Sequence, residues 1–241
     1  MRLDMKDFLQ LMRGGPRKIA VTGHFGSGKT EFAVSLAFAL AARNGGRERL
    51  ALCDLDIENP YFRSRERQDA LLAAGVQVYS DPSDGRNGSE LQTVSAKVRA
   101  PLEDSGCRVI LDCGGDAAGA MLLRQFAKYF RENDHRLLCV VNCSRPGTDT
   151  PEKAAAHIRA IEAASGLAVT GLVSNAHFIR FTTADTVKEG WAFTKAVEAL
   201  TGVPALAACA MEALLPDLAG CGFPLFPIGM YMRDSYLDKP V

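Results

Sequence analysis

A mostly parallel β-sheet with helices on both faces is the α/β fold that this sequence predicts, and three observations predict it. Short apolar runs alternate with longer helical patterns almost from end to end, the order that builds βαβ units. The apolar runs are continuous rather than alternating with polar residues, as in strands covered on both sides. A glycine-rich turn, residues 23–30, stands where the first such run gives way to the first long helical pattern.

Taken in order, MRLDMKDFLQLMRGG reads as a short amphipathic helix closed by Gly14 and Gly15, an N-terminal extension over residues 1–16. KIAVTG (18–23) is the first strand and EFAVSLAFALAAR (31–43) the first long helix, with a glycine stop in the NGG that follows. RLALCDLD (49–56) and VQVYS (76–80) are the next strands, followed by DPSDGRNGSE (81–90), a polar loop too short to divide domains. CRVILDCG (107–114) is a strand, GAMLLRQFAKYF (119–130) a helix and RLLCVVN (136–142) a strand. NCSRPGTDTPEKA then leads through a loop into the helix PEKAAAHIRAIEAAS (151–165), with Pro151 at an early helical position. The strand AVTGLVSNA (168–176), the helix VKEGWAFTKAVEAL (187–200) and the strand FPLFPIG (223–229) complete the series. No repeat or low-complexity linker interrupts it, so residues 1–241 read as one domain.

Lys and Arg total 28, as do Asp and Glu, so net charge supplies no argument for nucleic acid or an anionic membrane as partner. No stretch is long and apolar enough to span a bilayer, the start lacks a signal-peptide core, and the tail MYMRDSYLDKPV is too short and mixed for an amphipathic anchor. The seven cysteines form no Cys-x-x-Cys pair, and several lie inside apolar runs such as LLCVVNC. Reduced core thiols in a cytoplasmic protein are the expectation.

GHFGSGKT, from Gly23 to Thr30, fits the phosphate-binding pattern G-x-x-x-x-G-K-[ST] in the strand–turn–helix context that the pattern requires. Gly23, His24, Phe25, Gly26, Ser27 and Gly28 wrap the backbone so that successive N–H groups point at phosphate oxygens, and the following helix adds its positive end beside Glu31. Lys29 would reach the β- and γ-phosphates and the Thr30 hydroxyl a Mg²⁺ ion, which makes this a P-loop NTPase fold. Asp54 and Asp56 end the second strand two residues apart, on one face, at the sheet edge where ligands of open α/β sheets bind. Apolar residues also run straight into Asp112, the arrangement of a magnesium-holding aspartate. Gly114 and Gly115 follow for close backbone approach, then Asp116, which is either part of the site or an N-cap of the next helix.

Together GHFGSGKT, DLDIENP, LDCGGD and GLVSNAH resemble the MinD/ParA/CobQ-type branch of SIMIBI-class P-loop NTPases, over most of the chain. The resemblance implies ATP and Mg²⁺ as cofactors, Lys29 and Asp56 as the catalytic pair with Asp56 orienting the attacking water, and Thr30, Asp54 and Asp112 around the metal. It implies Asn175 at the adenine edge, and no guanine-reading Asn-Lys-x-Asp pattern is present. The sequence departs from that branch at His24, which stands where many members carry a second lysine that reaches across a dimer. Arg63 and Arg65 are candidates for the missing charge, and Cys113 for a cluster-bridging thiolate or an inert one. The implied activity is a nucleotide-driven switch on a protein partner in metalloenzyme or corrinoid maturation, with a homodimer as one allowed assembly. The alternative is a kinase or ligase of the cobyrinate or dethiobiotin synthetase type, acting on a small acidic substrate.

Overall fold

The computed structural model describes residues 5–56, 67–79, 90–130 and 135–232. Among them eight strands form one sheet in the order β3-β2-β4-β1-β5-β6-β7-β8, every pairing parallel. The strands are β1 (Lys18–Thr22), β2 (Arg49–Leu55), β3 (Val76–Tyr79), β4 (Cys107–Cys113), β5 (His135–Val141), β6 (Gly171–Ser174), β7 (Ala205–Ala210) and β8 (Leu225–Pro227). Each of the seven expected strands is present. The eighth, β7, is ALAACA, whose alanines have little strand preference of their own. It is a strand because β6 and β8 pair with it on either side.

The helices are α1 (Met5–Gly14), α2 (Lys29–Asn44), α3 (Gln68–Ala73), α4 (Glu90–Glu103), α5 (Ala117–Arg124), α6 (Pro151–Ser165) and α7 (Ala184–Thr201). Helix α4 begins at the last residue of the expected polar loop, whose residues 81–89 lie outside the described residues. The expected helix over 119–130 divides into α5 and a 3₁₀ turn, Ala127–Phe130.

Because side chains alternate across a strand, each strand feeds both faces of the sheet. Ile19, Val21, Leu52, Ile110 and Leu138 face α2 and pack with Phe32 and Leu36. Ala20, Cys53, Leu55, Leu111 and Leu137 face the other way and pack with Leu122, Phe126 and Ile158. The same alternation puts Asp54 and Asp112 on the α2 side, level with one another across the β2–β4 pair.

Helix α1 is built into that side of the core. Phe8, Leu9 and Met12 are buried, and the Phe8 ring meets Phe226 edge-on at 5.4 Å and Phe32 at 6.3 Å. Arg108 of β4 closes the end of the helix, donating to the carbonyls of Met12 (2.7 Å), Arg13 (2.8 Å) and Pro16 (2.9 Å) while pairing with Glu48 at 2.8 Å. These are carbonyls that a helix end otherwise leaves unmatched.

Candidate nucleoside polyphosphate site

The loop between Thr22 and Lys29 crosses the carboxyl edge of the sheet between its two central neighbours, β4 and β5. Helix α2 starts behind Gly28, which has φ 84° and gives no side-chain cap, so the first amides of the helix are offered to an anion rather than to a protein oxygen. A side chain at Gly28 would also strike the Asn175 amide, 2.3 Å from the Cβ position. Ser27 Oγ is buried and has no hydrogen-bond partner among the described residues.

Beneath the loop lies the charge cluster that the sequence predicts. Lys29 is almost wholly buried, and its Nζ pairs with Asp56 Oδ2 at 2.7 Å. Burial alone would lower the lysine pKa, but the charges of Asp112 and Asp56 outweigh it and hold the ammonium above its ordinary value. Asp54 Oδ1 accepts from the Asp56 amide at 3.2 Å, which fixes the turn out of β2. Asp112 has no exposed surface, and neither of its oxygens makes a hydrogen bond of normal geometry. Burial, then the neighbouring Asp54 charge, pushes its carboxyl up to about 8, against the pull of Lys29 and the nearby Thr30 hydroxyl.

A buried carboxylate of this kind calls for a cation. Among the described residues no three His, Cys, Asp or Glu form a ready-made cage. That suits Mg²⁺, which keeps most of its waters and takes a few protein oxygens together with substrate phosphates. Thr30 and Asp112 fit such an ion, with Asp54 beside them. The uncapped amides and the bare Ser27 hydroxyl fit the phosphates.

The other predicted residues have distinct places. Asn175 follows β6 and donates its Nδ2 to the Ser27 carbonyl at 2.8 Å, bracing the loop from the side. It also lines a cavity of about 310 Å³ with Phe25, Lys29, Thr30, Ile179 and Met230. Glu31 accepts from the amides of Tyr231 (2.6 Å) and Met232 (3.0 Å), tying the segment after β8 to the rim. Phe25 is 70% exposed at the loop tip. Asp116 caps α5, accepting from the Gly119 amide at 2.8 Å. Cys113 is buried, and burial pushes its thiol, like those of Cys53, Cys139 and Cys209, well up; all seven cysteines are free. Arg63 and Arg65 lie outside the described residues.

His24 does not face the phosphate side. Its ring meets His157 of α6 edge-on at 5.3 Å and presses on Gly147, where any Cβ would fall 2.2 Å from its Nε2. His157 is held down at about 4 by burial and then by the His24 charge, with Asp116 opposing. A histidine pKa depressed on folding stabilises the fold above its ordinary value, and that contribution is lost as pH falls from 6.5 through 4. We therefore expect the parent to lose more unfolding free energy between pH 7 and pH 5 than a His157→Gln variant, as read by urea titration. Equal losses would show that the pair carries no linkage.

The residues that sequence reasoning assigned no chemistry are Arg145, His177, Ile179 and Met211, all lining the same cavity. Ile179 has φ 57°, an unusual conformation for a β-branched residue. A signal for Arg145 was available: the loop it occupies leaves β5 at the ligand-bearing edge.

The fold and the loop define the class: a parallel α/β P-loop NTPase fold. It is similar to the signal recognition particle 54 kDa protein from Aeropyrum pernix K1, solved in complex with GDP, at 17% identity and a TM-score of 0.53, over 83% of this chain and 45% of that one. Cell division protein FtsY from Thermotoga maritima matches at 19% identity and a TM-score of 0.52, over 82% and 62%. Chloroplast FtsY from Physcomitrella patens matches at 16% and 0.50, over 85% and 66%. The chain spans less than two thirds of the length of each of these proteins, and at such identities the likeness is one of fold. It does not select the MinD/ParA/CobQ branch. No protein-family model and no curated protein matches the chain.

Proposed function

We propose that the protein binds Mg·ATP on residues 23–30 and hydrolyses it, as a nucleotide-driven switch acting on a protein partner in metalloenzyme or corrinoid maturation. The observation that carries this reading is the buried Lys29–Asp56 pair at 2.7 Å. It ties the lysine that would grip the β- and γ-phosphates to the carboxylate that ends β2. A phosphate oxygen that takes Lys29 frees Asp56 to accept a hydrogen bond from water, and changes what the end of β2 is bound to. Bound Mg²⁺ would neutralise phosphate charge, held through Thr30 and Asp112 with Asp54 alongside. The loop amides fix the phosphates, so catalysis is placement and electrostatics.

Adenine rather than guanine is supported by the residues after β6. Asn175-Ala176-His177-Phe178 offers no carboxylate to accept from guanine N1 and N2, whereas the Asn175 side chain lies at the cavity wall. The GDP bound to the Aeropyrum pernix protein makes guanine the control that matters.

The test is turnover and limited proteolysis of the purified protein with Mg²⁺ and ATP, GTP, ADP or no nucleotide. ATP hydrolysis in excess of GTP hydrolysis, with digestion patterns that differ between ATP and ADP, is the expected result. Identical patterns under all four conditions would overturn the switch. Turnover that needs a small dicarboxylate and no protein would replace it with the kinase or ligase reading.

A further inference from the structure

We infer that Arg145, in the loop between β5 and α6, is a phosphate-contacting residue that supplies within one chain the positive charge His24 does not bring to the site. This rests on reading the cavity as a nucleoside polyphosphate site.

Two observations converge on it. The first is the direction of His24, whose ring is packed against Gly147 and His157 on the α6 side. The second is the placement of Arg145. Its Nε donates to the Gly26 carbonyl at 2.8 Å, and the guanidinium lies against the Gly26 backbone, with Nε and Cζ 3.0 and 3.2 Å from where a Cβ would be. A larger residue at position 26 would displace it. Arg145 shares its cavity with Gly28, Lys29 and Thr30, and a guanidinium carries five N–H donors in a planar fork matched to phosphate oxygens. The Gly26 carbonyl takes only the Nε donor.

The loop that carries Arg145 is held in shape. Asn142 Oδ1 accepts from the Ser144 amide at 2.9 Å, the Asn142 carbonyl accepts from Thr148 Oγ1 at 3.0 Å, and the Arg145 carbonyl accepts from the Thr148 amide at 2.8 Å. Pre-set loops of this kind lose little freedom when a ligand arrives. Charge also favours the assignment. Among the described residues that line the cavity, Lys29 and Arg145 are the only lysine or arginine, and Lys29 is already paired with Asp56. A polyphosphate brought next to Asp54, Asp56 and Asp112 needs more cation than one lysine.

The experiment is calorimetric titration of the parent and of Arg145→Lys, Arg145→Gln and Arg145→Ala with Mg·ATP and with inorganic tripolyphosphate, a probe without a base. Thermal melts show which variants are folded. Gln keeps an N–H for the Gly26 carbonyl but no charge, so it separates support of the loop from contact with phosphate. We expect Gln and Ala to weaken both ligands by about 10- to 100-fold, comparable to losing one charged hydrogen bond, and Lys to recover part of the loss. Gln behaving as the parent would assign Arg145 to loop support alone, and ATP weakened with tripolyphosphate unchanged would move its contact to the base or sugar. Either result overturns the inference while leaving the nucleotide site standing. A parent that binds neither ligand overturns the nucleotide reading itself.

Discussion

Replacing Lys29 with alanine is expected to remove nucleotide binding and to destabilise the fold in a pH-dependent way. The ammonium is the buried cation that answers Asp56 and lowers the pKa of Asp112. Losing its contact to the phosphates should weaken Mg·ATP by about 100-fold or more. Its loss from the folded protein leaves buried carboxylates facing one another, a change that typically costs about 3–5 kcal/mol. Asp112 answers by holding its proton more tightly, so its folded pKa rises further above the unfolded one. A raised carboxyl favours folding below its unfolded pKa, and the benefit disappears as pH climbs through the folded value. For Asp112, already at about 8 with the lysine present, the window reaches into the alkaline range. Urea unfolding should therefore show a larger deficit against the parent at pH 8 than at pH 5. A deficit that does not vary with pH would mean that Lys29 is held by packing rather than by charge.

The second large effect belongs to Asp56→Asn, and it should separate binding from chemistry. An amide keeps the shape of the side chain but cannot draw a proton from water or hold Lys29 as an ion pair. Turnover is expected to fall by about 10²- to 10⁴-fold, the range for loss of a positioned base. Affinity for Mg·ATP should stay level or tighten, because a phosphate no longer competes with the Asp56 carboxylate for Nζ. Single-turnover rates beside calorimetry give both numbers. Weakened binding with unchanged turnover would reassign Asp56 to ligand support.

Much of this was readable in the sequence because it is local. Residues 23–30 carry their own backbone instructions, and the aspartates end strands whose apolar runs announce them. Pro151 marks the start of α6, which the structure caps with the Thr150 hydroxyl, accepting from the Lys153 amide at 3.3 Å. What could not be read depends on distant partners. ALAACA becomes a strand only when β6 and β8 flank it. Helix α4 contains Thr93, Val94, Val98 and Pro101, poor advertisements for a helix, and Val98 and Leu102 are buried with the β2 and β4 core. The Asn175 bond to Ser27 and the Arg145 bond to Gly26 join segments more than a hundred residues apart. The inward fold of His24 needs Gly147 to leave room for a ring, which no reading of residues 18–40 contains.

The clasp that Arg108 makes on the end of α1 joins the two ends of the molecule through one strand. Arg108 and Asp112 ride β4 on the same side, separated by about 13 Å of extended chain. The helix whose rim is exposed at Gln10 and Arg13 is thereby anchored to the same strand that ends in the buried Asp112 carboxyl.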